Sequence, residues 1–178
     1  MQAHHYARVN GEAFFHMASF GFDAAVVRSI SQARRGPIGN IGYVMPALRE
    51  IVSFRSPLLD LAIDGKSVVQ GKSGFLIVAN SSWYAGGINP VPEADSRSGR
   101  LALRFFLDQS VFDWFGWGCS FLLQRKVATR GIPVHYGSVV EVRAVGAKYP
   151  IQADGDFIGF TPNRITLAEK TLQVLVRN

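Results

Sequence analysis

Short apolar runs joined by Asp-Gly pairs restrict the fold of this chain more than any other feature. The runs at residues 58–63 and 67–70 are separated by Asp64, Gly65 and Lys66. An Asp-Gly pair between two apolar runs predicts a β-hairpin with a two-residue turn. The stretch IQADGDFIGF at residues 151–160 has a similar composition. We therefore expect a large part of the chain to form antiparallel strands joined by tight turns.

Other strands are predicted by periodicity. SGFLIVAN at residues 73–80 is almost wholly apolar, which is typical of a strand buried on both faces. SVVEVRAV at residues 138–145 alternates, with valines and alanine on one face and charged residues on the other. Three further stretches complete the predicted strands: an aromatic-rich strand within residues 11–22 that contains His16 as a core residue, LALRFFL at 101–107, and a strand pair around Glu169 and Lys170.

Three stretches predict helices. The first covers residues 24–35, with Asp23 as its N-cap and Gly36-Pro37 as its stop. The others cover residues 39–54 and 110–126. Strands and helices do not alternate in the β-α-β pattern of a Rossmann core. The predicted fold class is mainly β: a β-sandwich or barrel-like domain with two or three helices, in one domain over residues 1–178.

Composition indicates a globular domain and leaves its partner open. Hydrophobic residues make up 48% of the 178 positions and charged residues 18%, which allows a sizeable core. The net charge of +6 suits nucleotide phosphate, nucleic acid or an anionic membrane surface, although a basic protein without such a partner has the same charge. Because the aromatic residues lie within apolar runs rather than among Lys and Arg, we expect no nucleic-acid partner.

The sequence predicts a cytoplasmic protein. Its N-terminus, MQAHHYARVN, has no apolar signal-peptide segment. No apolar run reaches the length of about 18 residues that a membrane-spanning helix needs. The single cysteine, Cys119, excludes an internal disulfide and a multi-cysteine zinc site.

Asp154 and Asp156, on either side of Gly155, form the first candidate site. This triplet fits a plain hairpin turn. It also fits a carboxylate placed to act as a general base or to bind a divalent cation. The residues alone leave both interpretations open.

The second candidate site is the long loop at residues 80–101, which is rich in Gly, Pro, Ser and Asn. Loops of this length in compact domains are often functional, although a surface loop without a function fits the composition equally well. Asp95, Ser98 and neighbouring backbone carbonyls offer the hard oxygen ligands that Mg²⁺ prefers.

Four segments, in order, resemble the C-terminal domain of the diacylglycerol kinase and sphingosine kinase superfamily of lipid kinases. FFHMASFGFDAAVV is similar to the family's strand with a Gly-Phe-Asp-Ala turn, and GNIGYVMPAL to its Gly-x-x-x-Tyr helix. IVANSSWYAGGINPVPEADSRSGRLAL is similar to the stretch with Asn, Tyr-Gly-Gly, Pro-x-Ala and Asp-Gly-x-Leu. VHYGSVVEVRAVGAKYPIQADGDFIG is similar to the late segment ending in Asp-Gly-Glu. The resemblance implies the C-terminal domain of the NAD kinase/diacylglycerol kinase-like fold.

The resemblance also implies a role for each aspartate of the triplet. In the family, the last residue of Asp-Gly-Glu accepts the proton of the lipid hydroxyl, and that position is Asp156 here. Aspartate keeps the carboxylate but is one methylene shorter. Asp154 would help to hold the site or the magnesium-water network.

For the long loop, the resemblance implies metal and substrate positions. A structural Mg²⁺ site falls on Asp95, Ser98 and the backbone carbonyl of Arg100; Ser98 replaces a family aspartate, which removes one charge from the ion's surroundings. The implied substrate-binding residues are Asn80, Tyr84, Gly86 and Gly87.

The family's phosphate-binding Gly-Gly-Asp-Gly loop belongs to a separate N-terminal domain, and no stretch of this sequence matches it. We therefore expect the chain to be the lipid-substrate half of a kinase that phosphorylates a lipid hydroxyl with ATP, and to be inactive alone. Its expected partners are a diacylglycerol- or sphingosine-like lipid, an N-terminal kinase domain and, peripherally, a membrane surface. The alternative is a lipid-binding module without catalysis.

Overall fold

A computed structural model describes residues 1–33, 55–56, 58–83, 89–107 and 132–175. The elements in these ranges are β1 (Gln2–His4), β2 (Ala7–Val9), β3 (Glu12–Phe14), β4 (Met17–Phe20), α1 (Phe22–Ala33), β5 (Leu58–Ile63), β6 (Lys66–Ala79), β7 (Leu101–Leu107), β8 (Val134–Gly137), β9 (Val139–Val145), β10 (Pro150–Ala153), β11 (Asp156–Phe160), β12 (Asn163–Leu167) and β13 (Leu172–Val174).

The prediction of a mainly β, barrel-like fold is confirmed. The first predicted helix is α1, while the predicted helices at residues 39–54 and 110–126 and the Gly36-Pro37 stop lie outside the described residues. No helix in the described ranges is long and apolar enough to cross a lipid bilayer.

One antiparallel sheet curls until its two ends nearly meet. Its strand order is β11-β10-β4-β6-β5-β9-β12-β2-β3, with β7 paired to β6 and β8 paired to β7. At the seam, the Asn10 side chain after β2 donates a hydrogen bond to the Ile158 carbonyl of β11 at 3.3 Å. β1 and β13 form a separate two-stranded sheet. The seam between β3 and β11 is therefore an almost closed edge of a barrel.

The C-terminal half of β6 is buried on both faces, as its apolar sequence predicts. Leu76 and Val78 belong to the main core inside the barrel. Phe75, Ile77 and Ala79 belong to a second core on the opposite face, which includes Val91 and Ala94 of the long loop. Because successive side chains of a strand point to opposite faces, an uninterrupted apolar run is what such a double burial requires.

An ion pair attaches the long loop to this second core. Arg104 of β7 is 4% exposed, and its guanidinium contacts the Glu93 carboxylate and the Ile132 carbonyl. A buried guanidinium needs such partners, because an uncompensated buried charge is strongly destabilising. The pair holds residues 89–96 against the sheet.

Within the ranges that the structure describes, three hairpins have two-residue turns in which both residues have positive φ: Asn10-Gly11, Asp64-Gly65 and Asp154-Gly155. This is the turn geometry for which Asn-Gly and Asp-Gly are preferred. In each turn the first side chain also bonds a backbone group of another strand. Asp64, for example, accepts the N–H groups of Ser138 and Val139 at 3.0 and 2.8 Å.

Three local expectations are corrected. The predicted strand within residues 11–22 is two strands, β3 and β4, because the intervening N–H groups bond to Asp154 instead of a neighbouring strand. The strands around Glu169 do not pair with each other: β12 pairs with β2 and β9, and β13 with β1. Asp23 lies inside the first turn of α1, where Gly21 supplies the first carbonyl acceptor.

We expect Gly21→Ala to lower the free energy of unfolding by about 2–4 kcal/mol. Gly21 has a φ of +108°, and an added Cβ would lie 2.7 Å from the Phe75 Cβ. Gly11→Ala is the matched control, because Gly11 also has positive φ but no atom within 4 Å of an added Cβ. The control substitution should lower the free energy of unfolding, measured by urea denaturation, by only about 1–2 kcal/mol. Equal costs would contradict the steric argument.

Candidate functional site

The carboxylate of Asp154 binds backbone N–H groups. It accepts hydrogen bonds from Phe15 at 2.7 Å and from His16 and Met17 at 2.9 Å. The Asp154 N–H donates to the Met17 carbonyl at 2.9 Å. Four hydrogen bonds thus attach the β10–β11 turn to the point where β3 ends and β4 begins. The triplet is a hairpin turn, and its first aspartate anchors the turn to the barrel.

Asn80 binds the backbone carbonyl groups of the same bend between β3 and β4. Its side-chain amide donates to the carbonyls of Phe15 and His5, both at 2.8 Å. Its backbone N–H donates to the His16 carbonyl at 2.9 Å. Asn80 is 1% exposed, and its Oδ1 atom has no hydrogen-bond partner within the described ranges. That atom is a buried acceptor without a donor.

The long loop joins this cluster through β1. The Ser96 carbonyl accepts the His5 N–H at 2.7 Å, and the Ser96 hydroxyl lies 2.7 Å from His4 Nδ1. His5 in turn accepts the hydrogen bond from Asn80. The structure therefore brings together three stretches that the sequence keeps apart: the Asp154 turn, Asn80 and the turn at residues 95–100.

Asp156 is the free carboxylate of the triplet. It begins β11 and is exposed, and its side chain takes part in no hydrogen bond or ion pair in the described part of the chain. It lines a groove of about 620 Å³ along the barrel seam, between the β2–β3 hairpin and β11. Glu12 and Phe157 line the same groove. A substrate hydroxyl placed in this groove can approach the Asp156 oxygens directly.

A buried polar network supports the turn from the side of α1. The Gly155 N–H donates to Gln152 Oε1 at 2.9 Å. Gln152 is completely buried, and its Nε2 donates to Ser19 Oγ at 2.9 Å and to Asp23 Oδ2 at 3.0 Å. The Ser19 hydroxyl donates to the same Asp23 oxygen at 2.7 Å. The backbone that carries Asp156 is thus held by both Asp154 and Gln152.

The three residues implied as Mg²⁺ ligands lie in one turn, but their oxygens are engaged. Both Asp95 oxygens accept N–H groups of the Arg97 guanidinium at 3.0 Å. The Ser98 hydroxyl donates to the Arg100 carbonyl at 3.1 Å. The one carboxylate of the set is already paired with a guanidinium, whose positive charge opposes the approach of a divalent ion. These three residues do not fit a Mg²⁺ site, and the described residues contain no group of three or more His, Cys, Asp or Glu able to hold a metal ion.

The Arg97 side chain and backbone hydrogen bonds lower the pKa of the Asp95 carboxyl from its ordinary value of 3.8. The same pairing raises the pKa of Arg97. Because the pKa of Asp95 is lower in the folded state, the pair stabilises the fold above pH 3.8. That contribution is lost as the pH falls through the folded-state value.

The remaining predicted site and core residues either lie outside the described part of the structure or differ from the prediction. Tyr84, Gly86 and Gly87 lie outside the described residues. His16, expected in the core, is exposed, because it occupies the bend between β3 and β4. A larger groove of about 850 Å³ on the outer face of β5, β9 and β12 contains none of the predicted site residues.

Sequence reasoning missed the residues that connect the site. His4, His5 and Gln152 carry no motif, and their contacts join positions far apart in the chain. The one available signal was Gln152 as a polar residue within an apolar strand, because a buried amide needs hydrogen-bond partners.

Comparisons with known proteins identify the family and the fold. The family described as "YegS C-terminal NAD kinase beta sandwich-like domain" matches residues 16–176. Two curated proteins named diacylglycerol kinase, from Mycobacterium tuberculosis strains CDC 1551 / Oshkosh and ATCC 25618 / H37Rv, are each 27% identical over 165 residues. Each match covers 89% of this chain and 50% of the relative. The chain thus spans about half the length of the curated relatives it matches.

Solved structures show the same fold. A diacylglycerol kinase of Bacillus anthracis strain Sterne matches with a TM-score of 0.59 at 14% identity, over 95% of this chain and 52% of that one. Another solved chain from the same strain matches with a TM-score of 0.64 at 18% identity, over 94% and 54%. At these identities the likeness concerns the fold alone.

We expect Asp154→Asn to destabilise the fold by about 1–3 kcal/mol, because the amide offers one acceptor oxygen in place of two and loses the charge. Asp156→Asn is the matched control in the same turn, where no contact is lost, and should stay within about 0.5 kcal/mol of the unchanged chain. Urea denaturation measures both. Equal effects would refute the anchoring role of Asp154.

Proposed function

Since the chain belongs to the YegS C-terminal NAD kinase beta sandwich-like domain family, we propose that it is the lipid-substrate half of a diacylglycerol kinase-like enzyme. The complete enzyme would phosphorylate the hydroxyl of a diacylglycerol- or sphingosine-like lipid with ATP. This chain would receive the lipid, and a complementary N-terminal domain would bind the phosphates of ATP. The names of the Mycobacterium tuberculosis relatives support this reaction class.

Asp156 would be the general base of the reaction. As the lipid oxygen forms a bond to the γ-phosphorus of ATP, the bond from that phosphorus to the bridging oxygen breaks and ADP leaves. The hydroxyl proton passes to Asp156. A positioned carboxylate performs this role in other phosphoryl transfers to an alcohol.

The observation that carries the proposal is an unengaged carboxylate on a firmly held turn. Asp154 and Gln152 hold the backbone beside Asp156, while Asp156 lines the groove and its side chain has no partner in the described ranges. A general base requires both properties, because its position must be fixed and its lone pairs must be accessible. A carboxylate serving only as a turn residue requires neither.

Asn80 would orient a polar group of the lipid. Its buried Oδ1 has no donor among the described residues. Such an atom costs about 1–3 kcal/mol unless a donor reaches it. A hydroxyl or amine near the reacting end of the lipid would supply that donor when the surrounding residues open enough to expose the atom. The net charge of +6 supports peripheral contact with an anionic lipid surface.

We expect Asp156→Asn to lower kcat about 10²–10⁴-fold, the range attributable to one general base. The assay is ATP-dependent phosphorylation of diacylglycerol in vesicles, with this chain joined to the N-terminal half of a diacylglycerol kinase relative. The chain without that half should show no turnover. Glu141→Gln, on the outer face of β9, is the charge-matched control and should keep kcat. Full activity of Asp156→Asn would exclude the assigned base.

A lipid-binding module without catalysis is the second candidate. It is favoured because both carboxylate oxygens of Asp95, the implied Mg²⁺ ligand, already accept hydrogen bonds from Arg97. The protein in which this chain is joined to the N-terminal half of a diacylglycerol kinase relative distinguishes the kinase half from the binding module. Vesicle binding without turnover after addition of the N-terminal half would support the binding module. Turnover that depends on Asp156 would support the kinase half.

A further inference from the structure

The turn at residues 95–100 contains its own positive charge, the guanidinium of Arg97. Three N–H groups of Arg97 reach the Asp95 carboxylate: the backbone N–H and Nε bond Oδ1, and Nη2 bonds Oδ2, each at 3.0 Å. A guanidinium presents its donors as a planar fork that matches the two oxygens of a carboxylate. The charge of Asp95 is therefore compensated by a side chain two positions away.

The rest of the turn is closed by its own hydrogen bonds. The Ser98 N–H donates to the Asp95 carbonyl at 2.9 Å, and the Ser98 hydroxyl donates to the Arg100 carbonyl at 3.1 Å. A small divalent ion would need several of these oxygens in a near-octahedral arrangement with water. The Asp95 and Arg100 oxygens already accept donors from the turn itself, and the Ser98 hydroxyl is already a donor to Arg100.

The shape of this turn sets the position of Ser96. Ser96 is 7% exposed and bonds β1 and the residue after it, through His4 Nδ1 and the His5 N–H. His5 then accepts the Asn80 amide. A change in the turn would therefore be transmitted through Ser96 to the cluster around Asn80.

We propose that the Arg97 guanidinium takes the place of a divalent cation in this turn, so that residues 95–100 keep their shape and their contacts with β1 without a metal ion. Arg97 is then a positioning residue that acts through Asp95 and Ser96. The inference does not depend on kinase activity, and its test uses none.

The test is amide hydrogen exchange of the purified chain after EDTA treatment, with and without MgCl₂. The unchanged chain should show the same exchange at residues 93–101 and in β1 under both conditions, and no saturable heat when MgCl₂ is titrated in. Arg97→Gln should raise exchange of the Arg97 and His5 amides about 2–5-fold, the effect of losing one exposed ion pair.

Arg164→Gln is the matched control. Arg164 is also exposed and faces a carboxylate, that of Glu141 at 3.9 Å. This control should leave exchange at residues 93–101 unchanged. Saturable Mg²⁺ binding that slows exchange at residues 93–101 of the unchanged chain would overturn the proposal. So would an Arg97→Gln variant whose exchange there equals that of the unchanged chain.

Discussion

Three backbone N–H groups on the carboxylate of Asp154 hold the candidate site together. They end β3, begin β4 and attach the β10–β11 turn to that corner. These amides have no strand partner at the bend, so the carboxylate satisfies donors that would otherwise be left to solvent. The groove along the seam and the position of Asp156 both follow from this attachment.

The same arrangement, a turn residue whose side chain bonds the backbone of a second strand, occurs at each of the three positive-φ hairpins in the described ranges. A residue that tolerates the turn conformation also bonds a second strand: Asn10 at the seam, Asp64 on the strand pair β8 and β9, and Asp154 on the corner before β4. One residue thus both forms the turn and attaches it to another part of the sheet. A triplet with the composition of a simple turn can therefore also present an unengaged carboxylate, because anchoring occupies the first aspartate and leaves the side chain of Asp156 without a partner among the described residues.

The polar cluster at Asn80 shows how distant parts of the chain share one local geometry. Asn80 bonds the segment held by Asp154 and, through His5, the turn closed by Arg97. Under the proposals made above, Asp156 and Asn80 take the base and substrate positions that the resemblance implies, and Arg97 takes the place of the metal ion. An arginine beside Asp95 supplies the positive charge there, and a structural role of the loop is compatible with that exchange.

The sequence by itself determined the features that depend on neighbouring residues. Asp-Gly pairs specified hairpin turns, the apolar run before Asn80 specified a strand buried on both faces, and ordered motifs indicated the family. The tertiary structure alone decided which aspartate of the triplet is engaged, where β12 and β13 pair, and why the strand breaks at Phe15 and His16. The reason is physical: turn conformation is a property of adjacent residues, whereas the Asp154 bond to His16 joins positions 138 residues apart and exists only once the sheet has closed.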